Sequence, residues 1–268
     1  MKKPEVITVW GNPKFAADFA YNFARKTKKS TLICDLDFLN PSLDILFGVP
    51  RNPIRAMGDM SGILHMLEAA TNNFLVQAMY DQFSVKRREV PNLHVLTGVY
   101  NLAEYEYIDM MQLQKIVKEA VKYYELIVLV VNLNPYDACT AMAFSEGDLV
   151  LYPSGSDALS IRYFNNFVFF FLEKQHAKAD RFRYVAYIDK PLLGDMEFMK
   201  DTTFGNYAGT VSTADSKKMQ IMYGALFHKL NLVSNDKHKG EVDWFGGMRR
   251  EGVIQNASAN YSKRSTGL

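Results

Sequence analysis

The feature that most constrains the fold is a strand–turn–helix unit at the start of the chain. The apolar residues Val6–Trp10 predict a buried strand, and Gly11-Asn12-Pro13 predicts a turn after it. Phe15–Arg25 then carries apolar side chains at helical spacing. Strands and helices alternate along the rest of the chain as far as residue 189. We therefore predict an α/β fold: an open, mostly parallel twisted sheet with helices on both faces.

Length and composition are those of a globular protein with a sizeable core. The 268 residues are 48% hydrophobic, and we predict one α/β domain over residues 1–233 followed by a polar tail over 234–268. Lys190–Thr213 is weakly patterned, and no element is predicted there. The longest apolar run, Phe164–Leu172, is about half the length that a membrane span needs.

Charge and cysteine usage exclude several classes of function. A net charge of +2, with basic and acidic residues interspersed, does not indicate direct binding to nucleic acid. The two cysteines do not form a disulfide framework, which is typical of a cytoplasmic protein. The five histidines lack metal-ligand spacing, so no metal centre is predicted.

The turn after the first strand is similar to a phosphate-binding loop that has lost its middle. In the motif G-x-x-x-x-G-K-[ST], backbone N–H groups surround the phosphates and the Ser/Thr hydroxyl binds Mg²⁺. Here Lys14 follows Gly11 by only three positions, the second glycine is absent, and Phe15 stands in the Ser/Thr place. The shortened turn is too short to surround a phosphate.

Together with this turn, four further segments resemble the MinD/ParA superfamily of P-loop ATPases. They match, in chain order, the second strand with switch I, the N-L-x-V-L-x-G strand, the Walker B strand Y-D-x-I-I-I-D and the segment A-D-x-V-L-x-P. The matching residues here are Thr31–Val49, Pro91–Gly98, Tyr123–Val130 and Glu146–Pro153. The resemblance implies the P-loop NTPase fold and, in an active member, a site for Mg·ATP.

The chain departs from that family where the chemistry would occur. Val130 aligns with the Walker B aspartate, and Asn12 stands where the family's deviant lysine would fall. An apolar residue cannot replace a carboxylate that holds Mg²⁺. We therefore expect a pseudo-ATPase with no catalytic residues, no bound cofactor and no metal. Its vestigial nucleotide site would comprise Gly11, Asn12, Lys14, Asp35, Asp37 and Asn40.

Two interpretations of the remaining acids stay open. Asp35 and Asp37 follow the second strand, where the family's acids approach Mg²⁺ and the attacking water. In the structural interpretation, they instead accept backbone N–H groups of the shortened loop or pair with Lys14. A lysine at a helix N-terminus is unfavourable for the helix dipole, which indicates an acidic partner nearby.

Within the superfamily, V-W-G before the loop and V-L-T-G later resemble the TadZ/CpaE-like branch. This resemblance implies a scaffold or positioning factor that binds a protein partner in a pilus, secretion or conjugation machine, cytoplasmic and peripheral to a membrane complex. One alternative is an atypical ATPase of the same family, which would bind ATP. Another is a DNA-partition adaptor, which would need a basic stripe.

Two surfaces are candidates for partner binding. The predicted helix Tyr163–Phe171 is apolar nearly all round, so it is either buried on two sides or forms an interface, as a homodimer or with another protein. Its candidate contact residues are Tyr163, Phe167 and Phe170. In the polar tail, Trp244 and Phe245 either belong to a disordered segment or dock on a partner.

Overall fold

The computed structural model of the protein describes residues 5–49, 62–99, 105, 108–189 and 196–233. Within these residues the chain forms eight strands and nine α-helices that alternate for most of its length. In chain order they are β1 Val6–Trp10, α1 Pro13–Thr27, β2 Thr31–Asp35, α2 Leu43–Leu46, α3 Ile63–Thr71, α4 Gln77–Phe83, β3 Val85–Arg87, β4 Val90–Leu96, α5 Met110–Ala120, β5 Leu126–Val131, α6 Ala138–Glu146, β6 Leu149–Ser154, α7 Ala158–Gln175, β7 Phe182–Ile188, α8 Met196–Thr202, β8 Tyr207–Ser212 and α9 Ser216–Lys229.

The eight described strands form one sheet in the order β3-β4-β2-β5-β1-β6-β7-β8. Every neighbouring pair is parallel except β3 and β4, which are antiparallel. The prediction of an open, mostly parallel α/β sheet is confirmed. Strand β5 lies between β1 and β2 near the middle of the sheet. Because such a strand is covered on both faces, all six of its residues are apolar and buried.

Helices cover both faces of the sheet and divide the core into two clusters. Ile127, Leu129 and Val131 of β5 face a cluster that includes residues of α3 to α8. Leu126, Val128 and Val130 face the opposite cluster, which includes residues of α1, α2 and α9. Alternation along a strand sends successive side chains to opposite faces. Among the described residues, no helix has both the length and the apolar content to cross the membrane.

The weakly patterned interval Lys190–Thr213 contains two elements that the sequence did not predict, α8 and β8. Strand β8 is an edge strand that pairs with β7. Its sequence, Tyr-Ala-Gly-Thr-Val-Ser, includes a glycine, Gly209, and too few large apolar side chains to predict a strand. Pairing with β7 and packing against α9 stabilise it instead.

Candidate functional site

The carboxyl ends of β1, β2 and β5 meet at one edge of the sheet. In the strand register Trp10 pairs with Val131, and Asp35 pairs with Val130. Gly11 follows directly and donates its backbone N–H to the carbonyl oxygen of Val131 at 2.8 Å. Open parallel sheets bind their ligands at this edge. The structure therefore places the turn at Gly11 and the acid Asp35 at the same edge of the sheet.

The turn after β1 has few free backbone N–H groups. The N–H of Gly11 is bonded to Val131, and Pro13 has none. The N–H of Phe15 donates to Oδ1 of Asn12 at 2.9 Å, which makes Asn12 the N-cap of α1. Of the five residues 11–15, only two N–H groups remain for a ligand. A phosphate cradle depends on a concave run of such groups.

A leucine side chain occupies the space beside the turn. Gly11 has a φ of +77°, and a Cβ atom built there would lie 2.1 Å from Cδ2 of Leu133. Leu133 follows β5 in the chain, and its side chain packs against the backbone of the turn at Gly11. Glycine is required at position 11 by its backbone conformation and by this close approach.

The two positions where the family's motifs carry Mg²⁺-binding groups are hydrocarbon here. Phe15 and Val130 are fully buried in the same apolar cluster. The Phe15 ring contacts the rings of Phe19, Tyr187 and Tyr223, with centroids 5.3 to 5.8 Å apart. No cluster of three or more His, Cys, Asp or Glu residues in the described ranges could hold a metal ion. The residues at this edge do not fit a magnesium nucleotide.

Lys14 is held by a neighbour on its own helix and by strand β7. Its Nζ atom lies 3.0 Å from Oη of Tyr187 and 3.4 Å from Oδ2 of Asp18, and Tyr187 also donates to Asp18 at 2.9 Å. The bond to Tyr187 is the main cause that raises the pKa of Lys14. The prediction that Lys14 pairs with Asp35 or Asp37 is wrong. Helical i,i+4 spacing places Asp18 next to it instead.

Asp35 is fully buried and stabilises the start of α2. Its Oδ2 atom accepts the backbone N–H groups of Ser42 at 2.8 Å and Leu43 at 2.9 Å. Ser42, the N-cap residue, makes no capping bond with its own side chain. Burial raises the pKa of Asp35 to about 6, although both N–H groups favour the charged form. Asp35 thus caps backbone N–H groups, but those of α2 rather than those of the shortened loop.

Asp37 and Asn40 lie in the turn between β2 and α2. Oδ1 of Asp37 accepts the backbone N–H of Asn40 at 3.1 Å. Burial raises the pKa of Asp37, and the charge of Asp137 raises it further. Asp137, which is absent from the predicted site, caps α6 by accepting the N–H of Thr140 at 2.9 Å. Its signal in the sequence was an aspartate directly before the helix-forming run Ala138–Phe144.

The candidate partner-binding residues on α7 are half-buried. Phe167 contacts Trp10 with centroids 5.1 Å apart, and Phe170 contacts Tyr136 at 5.9 Å. Tyr163 stacks on Tyr152 at 5.9 Å. All three rings pack against the apolar cluster on this face of the sheet, and each of them stays partly exposed. The other two candidates, Trp244 and Phe245, lie outside the described residues.

Comparison with known proteins gives the fold but not the family. No protein-family model and no curated protein matches this sequence. Among solved structures, a ParA family ATPase from Chlorobium tepidum TLS matches with a TM-score of 0.61 and 13% identity, over 85% of this chain and 92% of that chain. The MinD cell division protein of Aquifex aeolicus matches with a TM-score of 0.60 and 18% identity, over 86% of this chain and 98% of that chain.

A putative plasmid partition protein from Borrelia burgdorferi B31, solved bound to AMPPNP, matches with a TM-score of 0.60 and 16% identity. The match covers 87% of this chain and 100% of that one. The fold is that of the ParA and MinD ATPases. At identities this low, the likeness shows the fold alone, so the chemistry at the carboxyl edge has to be argued from the residues of this chain.

Proposed function

We propose that the protein is a catalytically inactive relative of the ParA and MinD ATPases. The observation that carries this proposal is the packing of Phe15 and Val130 into one apolar cluster. In an active site of this fold, these two positions supply the hydroxyl and the carboxylate that hold Mg²⁺. Phosphoryl transfer depends on positioned charge, and hydrocarbon at both positions supplies none.

The protein acts, in this proposal, as a scaffold or positioning factor that binds a protein partner. Support comes from the fold, since the MinC:MinD cell division protein complex of Aquifex aeolicus has a chain of the same fold that assembles with another protein. The V-W-G and V-L-T-G segments favour a machine of the pilus, secretion or conjugation type, with the protein at its cytoplasmic side.

The inactive site is tested by titrating the purified full-length protein with Mg·ATP and Mg·ADP in a calorimeter and by measuring phosphate release. We expect no binding heat at millimolar nucleotide and no turnover above a protein-free control. The matched variant is Lys14→Ala, because Lys14 is 61% exposed and its loss leaves the core intact. Micromolar affinity for ATP, or turnover that Lys14→Ala abolishes, refutes the proposal.

The scaffold role is tested separately, by affinity purification of the tagged protein from its native cells before and after ATP depletion. We expect the same partner in both samples, because binding does not depend on nucleotide. A partner that is lost when ATP is depleted contradicts a nucleotide-independent scaffold.

A further inference from the structure

A cleft lies between α7 and α8, on a side of the molecule that the vestigial site does not use. Its volume is about 450 Å³, and its lining includes Ile161, Phe198 and Phe204. Ile161 is buried, whereas Phe198 is 54% and Phe204 is 68% exposed. Clefts of this volume with mostly apolar walls are typical of binding sites.

The apolar surface continues beyond the cleft along α7. Phe169, which is 47% exposed, contacts Phe204 with ring centroids 5.4 Å apart. We call the cleft together with Phe169 the α7–α8 groove. Exposed large apolar side chains that form one continuous patch mark interaction surfaces more often than scattered ones do.

Two opposite charges line the cleft without partners. Arg162 on α7 and Asp201 on α8 are both exposed and both contribute to its wall. Within the described part of the chain, neither side chain makes an ion pair or a hydrogen bond. A binding partner can therefore pair with both charges without breaking an existing contact. The cleft thus offers apolar side chains together with the charges of Arg162 and Asp201. This combination suits an amphipathic partner that carries charges of both signs.

The length of the groove indicates a helix. Ala158, which lines the cleft, and Phe169 are eleven positions apart on α7, which corresponds to about 16 Å, or three helical turns. We propose that the α7–α8 groove binds an amphipathic helix of a partner protein. Its apolar stripe lies on Phe198 and Phe204, an acidic side chain pairs with Arg162 and a basic one pairs with Asp201.

A second copy of this chain is a poorer occupant than a helix. A two-fold interface brings the same patch of each copy together, so two concave clefts would face each other and neither would be filled. A single helix presents a convex surface that fits the cleft. The proposal identifies the surface for the partner that the proposed scaffold function requires, and to that extent it rests on that function.

The test uses the full-length protein in its native cells, with the photo-crosslinking residue p-benzoylphenylalanine at position 166. Asn166 is exposed on α7 between Arg162 and Phe169. The control position is Lys217, which is exposed on α9. We expect position 166, but not position 217, to crosslink to one protein, through a segment whose apolar residues recur at helical spacing. Crosslinks only to another copy of this chain, or none at position 166, overturn the proposal.

The crosslinked segment is then synthesised with a fluorescent label and titrated with purified protein. We expect Phe204→Ser and Phe198→Ser each to weaken binding about tenfold or more, as loss of a central aromatic contact does. Arg162→Glu should weaken binding most at low salt. Equal affinity for Phe204→Ser and the parent protein contradicts the proposal. ATP turnover by the protein would refute the inactive site but leave this result unchanged, so the two failures are distinguishable.

Discussion

Replacing Phe15 by Ala tests whether the position that matches the Mg²⁺-binding hydroxyl of the ParA and MinD motif is part of the core here. The ring is fully buried and contacts three other aromatic rings. A core position loses stability when its side chain is cut back, because buried surface is lost and a cavity remains. A position that faces a ligand site shows a much smaller loss.

The expected cost follows from the burial of the ring. Complete burial of a phenylalanine side chain contributes about 2–3 kcal/mol through transfer from water. Each aromatic pair adds about 0.5–1.5 kcal/mol, and part of that is lost with each of the three contacts. Measured Phe→Ala changes in protein cores cost about 3–5 kcal/mol. We therefore expect Phe15→Ala to lower the free energy of unfolding by about 4 kcal/mol.

The assay is urea denaturation followed by circular dichroism. The matched control is Phe74→Ala, because Phe74 is 58% exposed and precedes α4. We expect the control to lose less than about 1 kcal/mol. If Phe15→Ala does not fold, Phe15→Leu keeps most of the volume and should lose about 1 kcal/mol. A loss below about 1.5 kcal/mol in a folded Phe15→Ala protein would refute the argument that this ring fills the site.

Two further substitutions test the carboxyl edge of the sheet. Burial raises the pKa of Asp35 from 3.8 to about 6. Protonation of Asp35 therefore stabilises the folded protein; this stabilisation is fully present below about pH 4 and is lost as the pH rises through about 6. When the pH is lowered from 7 to 5, the free energy of unfolding of the parent protein should therefore rise by about 1 kcal/mol relative to that of Asp35→Asn. Urea denaturation at both pH values measures this difference, and parallel pH profiles of the two proteins would contradict the assigned burial. Val130→Asp should lower the free energy of unfolding by about 3–5 kcal/mol because it buries an unpaired carboxylate next to Asp35. Val130→Ala is the control for the lost side-chain volume. If Mg²⁺ restored the melting temperature of Val130→Asp, the site could hold a metal ion and the argument would be wrong.

Much of the fold follows from the sequence because the central strands have a single pattern. The run Leu126–Val131 is apolar at every position, and it forms strand β5 over its whole length. Burial on both faces of a parallel sheet leaves no other placement for such a run. Edge strand β8 lacks this signal, since its position depends on pairing with β7.

The contacts of charged residues could not be read from resemblance alone. The resemblance indicated which acids lie near the turn, and Asp35 does lie at that edge. It did not indicate that Lys14 pairs with Asp18 and Tyr187. The i,i+4 spacing of Lys14 and Asp18 was visible in the sequence, whereas Tyr187 is 173 residues away and comes close only through the strand order.

The charged groups that remain at the carboxyl edge have local structural partners, which explains why restoring one group should not restore a nucleotide site. A bound Mg²⁺ would stabilise the charged form of Asp35, but here two backbone N–H groups of α2 do so only in part and the pKa stays raised. Lys14 is bonded to Asp18 and Tyr187. A new carboxylate at position 130 would therefore lie beside the buried Asp35 and in the same apolar cluster as Phe15, while Lys14 is held by its own partners. If the proposed inactive site is correct, a change at one position is not enough to give Mg·ATP binding, because the turn, Phe15 and Val130 each stand where the family's motif has a different part of the site.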